Sequence, residues 1–498
     1  MKRRLKKAKT PDMPRDKNKL KMELAVIFII SVAIFSLPSL LRWTYFSNPS
    51  TIGFPTYMHQ RQAQDILNGI NYDHLSFGGR EYTYPPLFSR GIALFALALP
   101  VEIGGIIFVV VFGAISSVFF YLIVRDHISK KYAFLSSVFL ILLPGTIYFN
   151  SHLSSRAPPF ALGMAALYFL LKKIDGADKK SALASNKNIV IAGTLLGIAA
   201  LFHPETAMFF GVVALFRAAK YKKIFLSFLI AAAIASAYYA PFLAAHGLPE
   251  ANGLHEEYIT RGYSLQISGI QNFFFEISPD AYITFAIAGL AIFGMWKKKH
   301  PFLAYWLLLA LALGIIAERF LIYLAVPVAL LAVYSFIYLD GLQNAKHFET
   351  SKKTKFLRGK KLFKTLIALV FIYSIILASS KILYFANSYP TTQQYSAMLW
   401  LKNNTEENAT ILSDWQWGHW ISGIAERRNF IDGYAEYAPN VTQRINELEN
   451  FYRTCEVPQG YNISHIYMEQ WFLNSFNVTC MGKFPVAYNN SGLLVYKA

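Results

Sequence analysis

Lysine and arginine fall into short clusters separated by long apolar runs, and no other feature so narrows what this chain can fold into. Of its 48 Lys and Arg, 33 lie at residues 2–21, 125–131, 172–187, 217–223, 297–299 and 346–364. About 20 apolar residues at helical rise cross the ~30 Å of bilayer hydrocarbon, and Lys/Arg-rich loops stay on the cytoplasmic side. Each gap between clusters holds two apolar segments: 24–42 and 103–124, 132–149 and 157–171, 188–202 and 206–216, 224–245 and 281–296, 301–317 and 320–338. An unpaired run, 365–386, follows the last cluster. The pattern predicts a polytopic α-helical membrane protein of about 11 spans, multi-pass in the cell membrane, with a cytoplasmic N-terminus. An odd span count then puts everything after residue 387 outside. Short runs such as 206–216 also suit a buried or re-entrant helix.

Three parts follow: a basic cytoplasmic segment 1–22, a transmembrane region 23–386 with long outer loops at 43–90 and 246–280, and an extracytoplasmic domain 387–498. The formal charge of +19 resides in the cytoplasmic clusters, and outside them acids outnumber the remaining 15 basic residues. The charge is therefore a topology signal, and no nucleic-acid partner is expected. The first apolar run is a full span without a small-residue cleavage site, so the N-terminus does not read as a cleavable signal peptide.

Two other residue types agree with that sidedness. The only cysteines, Cys455 and Cys480, lie in the C-terminal region, where an oxidising compartment would permit a disulfide. The six N-x-S/T sequons, at Asn403, Asn408, Asn440, Asn462, Asn477 and Asn489, lie there as well.

The outer segments carry the local patterns. Helical periodicity is expected over Tyr57 to Leu67, followed by a turn at Gly78 and Gly79 and an apolar stretch, Gly91 to Pro100, too short to cross and expected to lie at the membrane surface or dip into it. In the C-terminal region helices are expected near Tyr395 to Lys402 and Val441 to Phe451. Strands are expected near Ala409 to Leu412, Asn429 to Ile431, His465 to Tyr467 and Leu493 to Tyr496, which together predict an α/β domain.

Polar residues held near hydrocarbon are costly and therefore informative. Arg61, Arg80, Arg156, Arg261 and Arg319 fall on the outer side, among the acids Asp65, Asp73, Glu81, Glu205, Glu256 and Glu257. Arginine suits bidentate phosphate binding, and carboxylates activate an acceptor or hold a hard cation through oxygen. Taken singly, each is as simply read as a solvated surface ion pair; taken together, they describe a pocket for a lipid-linked phosphate. Asp65, Asp73, Glu256 and Glu257 are the catalytic candidates, with Glu205, Glu256 and Glu257 as ligands for a divalent metal, Mg2+ or Mn2+. The run Asp414 to Trp420, with Trp415, Gln416, Trp417 and Gly418, reads as a recognition loop, the competing reading being a loop that packs the domain onto the membrane.

The order of these elements resembles the GT-C superfamily of membrane glycosyltransferases, most closely the catalytic subunit of archaeal oligosaccharyltransferases. The likeness is carried by GFPTYMHQRQA (Gly53 to Ala63, with His59 and Arg61), FGGREYTYPPLF (Phe77 to Phe88), RFLIYLAVPVALLA (Arg319 to Ala332) and DWQWG (Asp414 to Gly418). It implies an inverting transfer from a polyprenyl (dolichyl) phosphate or diphosphate sugar to an acceptor, protein among the acceptor classes. Arg319 would meet the lipid phosphate, and Trp415 to Gly418 the acceptor. Three positions depart from the family pattern. Pro55 stands where a first-loop Asp is expected, Gln416 where the signature has Asp, and His152 with Arg156 where an acidic pair is expected. Those departures leave open a single-sugar transferase acting on a lipid or glycan. They also leave open a non-catalytic paralogue that binds lipid-linked glycan or partners an active enzyme. A transporter suits the chain less well, since its spans carry few charges and no internal repeat.

Overall fold

The computed structural model describes residues 17–126, 130–172, 185–219, 221–247, 301–316, 318–330, 360–435, 437–475 and 480–498, with isolated positions between them. Its first half is a helical bundle. In order come α1 (Lys17–Thr44), α2 (Thr56–Leu67), α3 (Leu87–Ala96), α4 (Val101–Arg125), α5 (Lys130–Leu142), α6 (Pro144–Ser151), α7 (Ala157–Leu171), α8 (Asn186–Phe202), α9 (Pro204–Ala218) and α10 (Phe225–His246). Helices Pro301–Ile316 and Lys360–Ala386 also belong to it. Three described helices are long and apolar enough to cross a membrane by themselves: Asn18–Thr44, Val101–Arg125 and Lys222–His246. The pair α5 and α6 passes as one span bent by 64°, the break falling at Pro144, whose ring cannot continue the preceding helix. Shorter apolar helices, α7 and α8 among them, pack between these, so their length alone does not set a span count. Leu229 and Leu308 lie exposed on the outer surface of the bundle, as lipid-facing side chains do in a multi-pass membrane protein. The apolar run 281–296 lies outside the described residues.

Residues 392–498 form a second unit. A five-stranded mixed sheet runs β4-β3-β5-β7-β6, built from β3 (Thr410–Leu412), β4 (Arg428–Asn429), β5 (Ile463–Glu469), β6 (Val486–Asn490) and β7 (Leu493–Lys497). The β3 strand pairs in parallel with β4 and β5, whereas β5, β7 and β6 are antiparallel. Helices Thr392–Asn404, Trp415–Gly423 and Val441–Thr454 cover it. Thr391 and Gln394 form a capping box at the first of these, which satisfies its orphan N–H groups. Cys455 and Cys480 are disulfide-bonded, with Cα atoms 5.9 Å apart.

The first outer loop belongs to both units. Tyr57 and Phe77 are buried in the core of the C-terminal sheet rather than in the bundle core. The hairpin β1 (Tyr72–Asp73) and β2 (Arg80–Glu81) docks there through Asn429, whose N–H donates to Leu75 O at 2.8 Å and whose Oδ1 accepts from Phe77 N–H at 3.0 Å. Arg444 spans the same joint, donating to the carbonyls of Phe430 and Phe77 at 2.8 Å each. Gly79 makes the turn possible: its φ of +130° disfavours other residues, and a Cβ there would lie 2.8 Å from the Tyr72 hydroxyl. At the bundle end, the fully buried Arg42 guanidinium donates to Ser50 and to the carbonyls of Ala386, Ser388 and Pro390. One side chain thus ties the end of α1, the start of the outer loop and the entry to the C-terminal unit.

Candidate functional site

Two proline-started helices place the polar side chains. The α6 helix ends at Ser151, His152 turns extended, and α7 opens after Arg156 with Ala157, Pro158 and Pro159. Likewise α8 ends at an extended His203, and Pro204 opens α9 with Glu205 in its first turn, where a carboxylate suits the helix N-terminus. The two starts face each other: Arg156 Nη2 lies 3.8 Å from Glu205 Oε2, with both side chains only partly exposed. Arg156 Nε is buried with no hydrogen-bond partner among the described residues.

Beside this pair, the buried Thr206 accepts a hydrogen bond from the Tyr323 hydroxyl at 2.9 Å. Tyr323 stacks on Phe209 at 3.9 Å between ring centres and belongs to the 3-10 helix Glu318–Leu324, which therefore sits against α9. The Arg319 backbone lies in that helix, while its side chain is outside the described residues. His152 closes the band toward the first loop. Its ring would lie 3.4 Å from a Cβ on Gly53, and its Nδ1 donates to the Tyr148 carbonyl at 2.6 Å. Burial holds the His152 imidazole down at about 4, with the Tyr148 bond opposing and Arg156 adding to the effect.

A wall of aromatic and imidazole rings rises above the band. The Tyr84 hydroxyl meets Ser155 Oγ at 2.5 Å, and His59 packs edge-on to Tyr84 and Phe88 at 4.8 and 4.6 Å. His59 Nδ1 is buried without a hydrogen-bond partner among the described residues, and burial, aided by His419, holds the group down at about 3. His419 lies 3.7 Å from Asp432 Oδ2, and burial lowers it against the pull of that carboxylate.

The residues singled out from sequence separate into three places. Arg156 and Glu205 come together in one band, with Tyr84 and His59 beside it, and the helix that holds the Arg319 backbone packs on α9 through Tyr323. Arg61, Asp65, Asp73 and Arg80 instead form a chain of internal contacts in the first loop. Asp65 accepts from Tyr82, and burial raises its carboxyl against that bond. Asp73 takes Arg61, the N–H groups of Leu75 and Ser76, and Arg80 at 3.7 Å. Burial alone would raise the Asp73 carboxyl, but the two guanidiniums and the Ser76 bonds leave it below its usual range. Arg80 holds both oxygens of Asp432, at 3.2 and 3.0 Å, and the carbonyl of Tyr434. Glu256, Glu257 and Arg261 lie outside the described residues.

The tryptophan run corrects the expected recognition loop. Trp415–Gly423 is a helix capped by Asp414, whose Oδ1 accepts from Gln416 N–H. Trp417 and Trp420, three apart, therefore share its inward face and are buried; Trp420 stacks on Phe54 at 4.7 Å and Trp417 packs on Tyr467 and Phe472. Trp415 is left exposed and Gln416 partly so. Gly418 is required by proximity, because a Cβ would come within 2.1 Å of the Ile431 carbonyl. Sequence reading did not single out Thr206, Tyr323, His419, Asn429 or Asp432. The histidine inside the tryptophan run and the tyrosine four residues after Arg319 were the available signals.

No group of three or more His, Cys, Asp or Glu suited to a metal occurs among the described residues. Glu205 is the acid of the band, and it already faces Arg156.

The chain matches no protein-family model and no curated protein sequence. Solved structures do resemble it. The apo crystal structure of the Archaeoglobus fulgidus oligosaccharyltransferase superposes with a TM-score of 0.63 at 15% identity, over 97% of this chain and 74% of that one. The archaeal oligosaccharyltransferase AglB from Archaeoglobus fulgidus, in complex with an inhibitory peptide and a dolichol-phosphate, gives 0.64 at 15% identity, over 96% and 74%. ArnT from Cupriavidus metallidurans bound to undecaprenyl phosphate gives 0.62 at 11% identity, over 97% and 98%. At such identities the likeness is one of fold, and the fold shared is that of GT-C glycosyltransferases.

Proposed function

We propose that this chain transfers a sugar or oligosaccharide from a polyprenyl (dolichyl) phosphate or diphosphate donor to an acceptor on the outer face of the membrane, protein being one acceptor class. The observation that carries the reading is Arg156: a guanidinium nitrogen buried without a hydrogen-bond partner among the described residues, beside Glu205, where α7 and α9 begin. An unsatisfied buried donor is costly, and a phosphate oxygen would satisfy it with a charge-assisted bond. The solved relatives of the same fold bind dolichol-phosphate and undecaprenyl phosphate, which supports a lipid phosphate here.

In this reading the acceptor's lone pair forms a bond to the anomeric carbon as the bond from that carbon to the phosphate oxygen breaks. The leaving phosphate keeps the electron pair, and Arg156 with Arg319 offsets its charge. The acceptor's proton passes to a carboxylate, Glu205 being the one at hand. Partly exposed Trp415 and Gln416 would meet the acceptor. A divalent metal, Mg2+ or Mn2+, would draw on Glu205 with Glu256 and Glu257, and no step above depends on it. The basic clusters support a cytoplasmic N-terminus and an extracytoplasmic 387–498.

One observation favours the second reading, a non-catalytic paralogue that holds lipid-linked glycan or partners an active enzyme. Asp65 and Asp73, the first-loop acids, are engaged by Tyr82, Arg61 and Arg80.

A membrane assay with radiolabelled polyprenyl-linked sugar separates the two. Arg156→Ala and Arg319→Ala are expected to weaken donor binding about ten- to a hundredfold, corresponding to a lost charge-assisted bond of roughly 1.5–3 kcal/mol. Alanine variants at Asp65, Asp73, Glu205, Glu256 and Glu257, with and without chelator, locate the carboxylates that turnover needs. Transfer unaffected by every variant would sink the mechanism, and binding without transfer to any acceptor would favour the paralogue.

A further inference from the structure

A second cavity, of about 720 Å3, opens between the end of α1, the start of α4 and the helix Thr392–Asn404. It lies within the size range of small-ligand sites, ~300–1,000 Å3. Tyr57 and Gln60 present one face of α2 to it, whereas His59 turns another face of the same helix toward Tyr84 and Phe88. The cavity is therefore distinct from the band of Arg156 and Glu205, none of whose residues line it.

Its lining is specific in kind. Trp43 and Tyr395, both partly exposed, supply aromatic surface, and Glu102, Lys402 and Glu426 supply the charge. Lys402 is paired with Glu426, so two carboxylates stand against one ammonium. That balance disfavours a phosphate or any other anion. An acyl chain is no better suited: although Ile103, Leu399 and Ile424 also line the cavity, it would bury the Glu102 carboxylate and the Lys402–Glu426 pair away from water. Tyr57 and Gln60 are already committed to Thr51, which leaves the Glu102 carboxylate, the exposed Lys402–Glu426 pair and the rings to meet a ligand.

We infer that this cavity is a carbohydrate-binding site that takes a short neutral oligosaccharide. The apolar faces of the sugar rings lie on Trp43 and Tyr395, and sugar hydroxyls donate to Glu102 and Glu426 and accept from Lys402. Because the site is separate from the transfer site, the inference does not rest on catalysis.

Titration of the purified full chain in detergent with maltotriose, mannotriose and triacetylchitotriose, read by intrinsic tryptophan fluorescence and saturation-transfer NMR, tests it. At least one trisaccharide is expected to bind at millimolar concentration or below. Glu426→Gln and Tyr395→Ala should each weaken that binding at least tenfold with unchanged thermal unfolding; Glu426 is exposed, so its variant carries little folding risk. Arg156→Ala should leave it unchanged, as should added inorganic phosphate or vesicles containing anionic lipid. Absence of binding by all three sugars, wild-type affinity in both cavity variants, or displacement by phosphate would each overturn the assignment. Loss of binding in Arg156→Ala alone would instead place the sugar at the transfer site and overturn it as well.

Discussion

At the scale of single residues, the same side-chain chemistry serves two ends here, and surroundings decide which. Arg80 and Arg156 read alike in sequence as outer arginines near acids. Arg80, however, is fully engaged by Asp432 and Tyr434 inside the joint between units, whereas Arg156, at the start of α7, keeps a donor without a hydrogen-bond partner among the described residues. Breaking a buried pair from one side leaves the other charge unpartnered, at a cost of roughly 3–5 kcal/mol. Arg80→Ala is therefore expected to lower the stability of the purified protein by about that much. Donor affinity per folded molecule should be unchanged, and denaturant unfolding beside a lipid-binding assay reads both quantities. Arg80→Lys should recover only part of the loss, since one ammonium cannot match two carboxylate oxygens at once.

At the scale of elements, the loop after α1 is held to the C-terminal sheet by buried polar contacts and buried rings, and two buried histidines, His59 on α2 and His152 at the end of α6, make the stability of the fold sensitive to pH. His59 and His152 sit at about 3 and about 4, against roughly 6.5 for an unperturbed imidazole. The unfolded chain takes up protons near 6.5 that the folded chain refuses. Stability is thus complete above that pH and falls as pH drops toward the folded values. Each histidine is expected to cost about 2 kcal/mol by about pH 5. Thermal unfolding followed from neutral to mildly acidic pH should show the decline, and His59→Gln should flatten it. A second element-level constraint is the disulfide between Cys455 and Cys480, 25 residues apart. In the chain-entropy picture it contributes about 3 kcal/mol. Unreduced peptides should show the linkage by mass spectrometry, and reductant should lower the unfolding midpoint of the C-terminal unit.

At the scale of the whole molecule, sidedness is the property on which the proposed site depends. A cysteine placed at Ser351, in the last basic cluster, is expected to be shielded from an impermeant thiol reagent in intact cells. One placed at the exposed Ser491 is expected to react. Labelling of the first from outside would invert the drawing and move the site to the cytoplasm. Helix positions were legible from sequence because backbone groups in hydrocarbon must be satisfied within the segment, which forces long apolar runs with boundaries at charge. Hence α4, α7, α8 and α10 start and stop within a few residues of the apolar runs 103–124, 157–171, 188–202 and 224–245, and α1 ends close to the run 24–42 although it begins earlier, among the basic residues. The α2 helix and most of the C-terminal strands were legible from a periodicity of apolar residues, whereas α3, Leu87–Ala96, was read only as an apolar stretch at Gly91 to Pro100. Which polar residues meet was not, because pairing across hundreds of positions leaves no local trace. Asn429 answers Phe77, Arg42 answers Pro390, and Arg156 answers Glu205 only after the chain has folded. The tryptophan run shows the same division: its composition suggested a surface loop, but helical spacing in three dimensions turned two of its rings inward. Sequence alone determined the membrane helices and their likeness to GT-C transferases, through solvation and periodicity. Only the tertiary structure showed that Arg80 is a structural tie between the loop and the C-terminal sheet while Arg156 Nε finds no hydrogen-bond partner among the described residues, because that depends on the neighbours each side chain meets.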